Sequence, residues 1–223
     1  AILVDTNGNN VTFSGALDST NTGGLTKNGN GTLTLSSANN YTGGTTLNSG
    51  TFVIGHANAA GSGSITQSSG ASRLKIDTTG TITNAISVYN VLATQSATLS
   101  GPITVNNATW DIESNDTLTI SGNISGSGGV TKNGGGTLVL SGSNSYTAPT
   151  VVNAGTLEAA NANALGANNT VTVNGGTLLV AENNALQNKN IQMGGSGVGL
   201  RFSENYSGTV NSLTLSANSS IDL

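Results

Sequence analysis

Residues 128–166 read GGVTKNGGGTLVLSGSNSYTAPTVVNAGTLEAANANALG. Residues 23–61 read GGLTKNGNGTLTLSSANNYTGGTTLNSGTFVIGHANAAG, identical at 22 of 39 positions across a separation of 105 residues. An internal copy this long points to stacked repeats rather than to a catalytic globule. Both copies contain one short run, Thr32-Leu33-Thr34-Leu35 in the first and Thr137-Leu138-Val139-Leu140 in the second. Similar runs recur later in each copy, as Thr51-Phe52-Val53-Ile54 and Thr156-Leu157-Glu158-Ala159, and outside them, as Ser72-Arg73-Leu74-Lys75-Ile76, Thr117-Leu118-Thr119-Ile120 and Thr177-Leu178-Leu179-Val180. Gly199-Leu200-Arg201-Phe202 and Ser220-Ile221-Asp222-Leu223 continue the series, which steps by 19 to 22 residues.

Within each run the apolar residues alternate: Leu33 and Leu35 against Thr32 and Thr34, Leu74 and Ile76 against Arg73 and Lys75. A period of two marks a strand with one face buried. One such strand every ~20 residues makes each period one coil of a solenoid. The expected fold is therefore all-β, a parallel β-helix of roughly ten rungs over residues 1–223. Leu138, Leu157 and Leu178 are expected to stack in adjacent rungs. Asn28-Gly29, Asn133-Gly134 and Asn174-Gly175 read as corners that supply positive φ at little cost. Asn48 and Asn153 fall where stacked side-chain amides would form a ladder. Pro102 and Pro149 interrupt no strand run, and residues 183–190 (NNALQNKN) read as a loop excursion.

Composition supports this reading. Charged residues are 7% of the chain and aromatics 4%, while hydrophobic residues reach 35%, so the chain lacks the charge of a disordered segment. The 31 Asn, 32 Thr and 32 Gly are poor helix formers but suit strands and turns. Six scattered lysines and arginines against a net charge of −4 cannot build a phosphate-binding patch, which argues against nucleic acid as a partner. There is no cysteine, so stacking must supply what disulfides give small secreted domains. No apolar run reaches membrane-spanning length. Ala1-Ile2-Leu3-Val4 begins, and Ile221-Asp222-Leu223 ends, inside a strand-like run, so the chain reads as a piece of something longer.

Few residues invite a chemical role. Asp111, Glu113 and Asp116 form the densest acidic group. In Trp110-Asp111-Ile112-Glu113 the two acids project to one face. They read as solubilising acids, with Trp110 and Ile112 turned inward. Their competing reading is the acid pair of a β-helical enzyme acting on extracellular polysaccharide. Calcium would need more oxygens than Glu113, Asn115 and Asp116 offer. His56 is the sole histidine, which excludes a multi-histidine zinc site; Asn161 takes its place in the second copy, so His56 reads as a turn residue. Lys27 and Lys132 occupy one repeat position. They read as stems covering apolar surface beside Tyr41 and Tyr146, which read as packing residues rather than sugar platforms. Thr32/Thr34, Thr117/Thr119 and Thr170/Thr172 are too irregular for an ice-binding array. No catalytic, cofactor or metal site is expected.

The repeated block resembles the passenger-associated transport repeat of bacterial autotransporters. The residues that carry the resemblance are Gly24, Leu25, Lys27, Gly29, Gly31, Thr32, Leu33, Leu35, Asn39, Tyr41, Gly50 and Thr51, then Gly129, Lys132, Gly134, Gly136, Thr137, Leu138, Leu140, Asn144, Tyr146, Gly155 and Thr156. The second copy departs at Ala148-Pro149. The resemblance implies a right-handed β-helix, carried to the cell surface through the periplasm and an outer-membrane barrel that lies outside this chain. Its implied role is to assist secretion and folding and to present an adhesin, aggregation factor or toxin, with a cell-surface or matrix ligand, or a second copy, as partner. Absence of cysteine suits a chain that crosses the periplasm unfolded. The repeat brings no catalytic residues with it.

Overall fold

The computed structural model describes every residue except 205, 217 and 223. Among the described residues, twenty-four strands, all paired in parallel, stack as a solenoid of about 10 turns. The expected register is present: Leu138 pairs with Leu157 and Leu157 with Leu178. Alternation drives this arrangement. Thr137–Leu140, Thr156–Ala159 and Thr177–Val180 each place the second and fourth residues in the core and the first and third at the surface. Leu33, Leu74, Leu138, Leu157 and Leu178 are wholly buried. Ser220–Asp222 extends the series, and Leu223, expected to finish it, lies outside the described residues.

The strands form three faces. The first face carries Ile2–Asp5, Leu25–Asn28, Thr45–Leu47 and Ile65–Gln67, and the second carries Val11–Phe13, Thr32–Leu35, Gly50–Ile54 and Ser72–Ile76. Two longer strands, Ile86–Ala93 and Ile103–Ile112, bend from the first face to the second, with a register shift beyond Val88 and a positive φ of 57° at Asn107. The third face is a separate 8-stranded sheet that starts at Thr81–Ile82 and runs through Thr137–Leu140 to Ser220–Asp222.

The two repeat copies therefore occupy different faces. Leu25–Asn28 and Thr32–Leu35 lie on the first and second, whereas Val130–Asn133 and Thr137–Leu140 lie on the second and third. Five rungs along from Leu25 on its own face stands Ile124, 99 residues on. Val130, the repeat equivalent of Leu25, has already turned the corner.

Two expectations about turns need correction. The segment 183–190 is no excursion. It takes the turn of the other rungs, with Ala185 N donating to Glu182 O at 3.3 Å as Ala164 N does to Asn161 O and Ala59 N to His56 O. Asn190 already begins a strand. At Asn174-Gly175 the left-handed residue is Gly176, with φ 75°. This corner matches Asn153-Ala154-Gly155 rather than Asn133-Gly134. The amide ladder is present: Asn48 Nδ2 donates to Asn28 Oδ1 (2.8 Å), Asn153 Nδ2 to Asn133 Oδ1 (2.9 Å) and Asn174 Nδ2 to Asn153 Oδ1 (3.0 Å).

Candidate functional site

The repeat's distinctive geometry is a corner pinned from inside by a lysine. In Leu25–Asn28 the burial alternates, Leu25 in, Thr26 out, Lys27 in, Asn28 half out, and Val130–Asn133 repeats the pattern. Lys27 and Lys132 both have no exposed surface. Not only the stems but also the charged heads lie inside. Each ammonium turns into the corner that follows its strand, where Gly29 (φ 77°) and Gly134 (φ 73°) bend the chain so that carbonyl oxygens point inward.

Lys132 Nζ donates to Asn133 O at 2.5 Å, to Gly134 O at 2.8 Å and to Ala154 O, one rung on, at 3.2 Å. Lys27 Nζ donates to the equivalent Asn28 O (2.8 Å), Gly29 O (2.7 Å) and Ser49 O (3.1 Å), and also to Thr6 Oγ1 of the preceding rung (3.0 Å). An ammonium has three protons; three carbonyls match those of Lys132, and the Lys27 protons are shared among three carbonyls and the Thr6 hydroxyl. Burial lowers the proton affinity of both amines, against an opposing pull from Asp5 on Lys27 and Asp111 on Lys132, and the Lys132 amine is pushed down to about 8. The corner closes tightly on this group. A Cβ on Gly155 (φ 65°) would stand 2.8 Å from Lys132 Nζ and 2.5 Å from Gly134 O, while also meeting Gly136 O.

A second device spans the rungs beside it. Asn144 Oδ1 accepts from Ile124 N of the rung before (2.8 Å), and its Nδ2 donates to Ala164 O of the rung after (2.7 Å). Asn39 does the same between Leu17 N and Ala59 O. Tyr41 and Tyr146 are wholly buried, as expected, and the Tyr146 hydroxyl meets Thr150 Oγ1 at 2.6 Å.

The acids of this group sit in different settings. Trp110 and Ile112 face inward as expected, but Asp111 is half-buried over the Asn133-Gly134 corner, while Glu113 lies past the strand end and is exposed. Asp111 Oδ1 would lie 2.6 Å from a Cβ on Gly134, so it serves the lysine corner rather than only solubilising the surface. Asp5 pairs in register with Asn28 as Asp111 does with Asn133. Asp116 accepts from Ser96 Oγ at 3.2 Å. Among the described residues no three of His, Asp and Glu come together as a metal site. His56 Nδ1 accepts from Asn58 N at 3.1 Å, as Asn161 Oδ1 accepts from Asn163 N at 2.9 Å. His56 is a turn residue.

Sequence reasoning missed the buried lysine heads and the bridging asparagines. One signal was available: if Leu25 and Val130 face inward, the lysine two residues on does too.

A family model described as the passenger-associated-transport-repeat matches residues 25–54 and 130–159, the blocks that hold these lysines. A curated protein, the adhesin BmaC autotransporter of Brucella suis biovar 1 (strain 1330), is 38% identical over 157 residues. The chain is part of an autotransporter passenger. The match covers 69% of this chain but 4% of that adhesin, so the passenger segment spans a small stretch of the relative. No solved structure gives a significant match. An autotransporter passenger stands at the bacterial cell surface or outside the cell, reached by way of the outer membrane.

Proposed function

We propose that this stretch is one continuous, non-enzymatic β-solenoid that anchors folding and displays an adhesive surface. The observation that carries the reading is the lysine corner, built from equivalent atoms in both repeat copies although the copies lie on different faces. Such a corner belongs to the repeat and not to its location. Each one ties successive rungs through a buried cation, and in a solenoid the interfaces between neighbouring rungs are what let folding nucleate and spread. A passenger emerging unfolded from its outer-membrane barrel would gain a stable seed at each repeat. The adhesive role is supported by the similarity to a protein named an adhesin. Its partner would be a cell-surface or matrix ligand.

The test is the double variant Lys27→Met/Lys132→Met in the full-length passenger. Slower refolding in vitro and less protease-resistant passenger at the surface are expected, with adhesion per folded molecule unchanged. Refolding and display at wild-type rates would overturn the anchoring role. Cleavage of any member of a panel of neutral and acidic polysaccharides by the chain would overturn the non-enzymatic one.

A further inference from the structure

We propose that the cleft between the turns 162–169 and 184–189 is a binding site for an uncharged sugar unit of a glycan. The proposal rests on the adhesive reading and names a partner for it.

The cleft has a volume of about 250 Å³, the scale of one sugar ring rather than of the larger ligands that fill typical pockets of roughly 300–1,000 Å³. It is lined by Ala162 and Ala167 and by the amides of Asn169, Asn184, Gln187 and Asn188. These four side chains are exposed and make no hydrogen bond to any of the described residues. Each amide offers both donors and an acceptor, the complement of a hydroxyl, which also does both.

The fold does not ask for Gln187 and Asn188, whereas Asn184 is the asparagine that opens each comparable turn. Three turns share one pattern: Asn58-Ala59-Ala60-Gly61-Ser62, Asn163-Ala164-Leu165-Gly166-Ala167 and Asn184-Ala185-Leu186-Gln187-Asn188. The inward pair, Ala59-Ala60, Ala164-Leu165 and Ala185-Leu186, is buried in all three. The repeat copies follow it with glycine and a small residue, whereas the third turn presents two amides. Asn184 (φ 64°) and Asn188 (φ 61°) also hold left-handed conformations that glycine would take with less strain.

Charge selects the ligand. Lys189 lines the cleft yet is only 8% exposed, and its Nζ donates to Leu165 O (3.4 Å), Gly166 O (2.6 Å) and Asn168 O (2.6 Å). Its three protons are taken, so the hydrogen-bonding groups left to a ligand are the neutral amides, and its positive charge repels a cation. A neutral, hydroxyl-bearing ring is what remains.

The test titrates the 223-residue chain with galactose, glucose, mannose, fucose and N-acetylglucosamine and their oligomers, using sialic acid and heparin fragments as charged probes, read by ligand-observed NMR. Binding of at least one neutral probe, insensitive to added salt, is expected. Asn184→Gly/Gln187→Ala/Asn188→Gly removes three amides while easing the backbone, and Asn169→Ala removes the fourth from the other turn. Each variant is expected to weaken that binding about tenfold or more at an unchanged thermal midpoint. Binding of no neutral probe, of charged probes alone, or undiminished binding in both variants overturns the proposal. Adhesion by the full passenger without sugar binding would sink this site and leave the adhesive reading standing. Sugar binding without adhesion would do the reverse.

Discussion

Replacing Lys132 by methionine isolates what the pinned corner contributes. The methionine keeps an unbranched buried stem and deletes the donors. Three carbonyls, Asn133 O, Gly134 O and Ala154 O, then lose the partner that reaches them at 2.5 to 3.2 Å. A buried acceptor left without a donor costs about 1 kcal/mol at the low end, so the loss should be about 3 kcal/mol. Equilibrium denaturation in guanidinium at neutral pH reads it directly. Trp110 is the sole tryptophan and pairs in register with Lys132, so its fluorescence reports this corner while circular dichroism reports the whole solenoid. The fluorescence transition should move to lower denaturant, ahead of the dichroism. A shift worth less than about 0.5 kcal/mol, the ordinary range of a surface change, would show that the ammonium holds nothing together.

The same buried amine makes stability depend on pH. Burial holds the Lys132 amine at about 8, below its unfolded value of about 10.4. Between these values the unfolded chain binds more protons, so stability should rise with pH, by at most about 1.4 kcal/mol per pH unit for each such lysine. Beyond about pH 10 the sign reverses, because burial raises the proton affinity of Tyr41 and Tyr146 and the unfolded chain loses those protons first. Denaturation midpoints that stay flat or fall from pH 8 to 10 would contradict this. Asp111→Asn removes the neighbour that supports the Lys132 charge, so the rise should begin at lower pH, whereas Glu113→Asn should leave both the rise and the stability within about 0.5 kcal/mol of wild type; equal behaviour of the two variants in the pH series would refute the assignment. Leu138→Asp buries an unpaired charge at a wholly buried position and should cost about 4 kcal/mol or prevent folding, and an unchanged thermal midpoint would refute its burial. Gly155→Ala should cost about 2 kcal/mol from its left-handed backbone and its approach to Gly134 O and Lys132 Nζ, checked by the same denaturation.

The sequence by itself determined the rung. Alternation in Thr137–Leu140 decides which side chains face inward, the 19–22 residue step decides that successive strands run parallel, and Asn-Gly pairs mark the corners; all three are local properties. The repeat block it singled out also contains the lysines and asparagines that bridge rungs, although their bridging was not legible in it. What they bridge was decided by the tertiary structure. The oxygens around Lys132 come from its own corner and from Ala154 a rung away, and only stacking brings them together. The small steps in rung length likewise accumulate between the copies, so the second repeat sits one face further round than the first. The sequence shows two similar blocks; where each lies on the solenoid depends on every intervening rung.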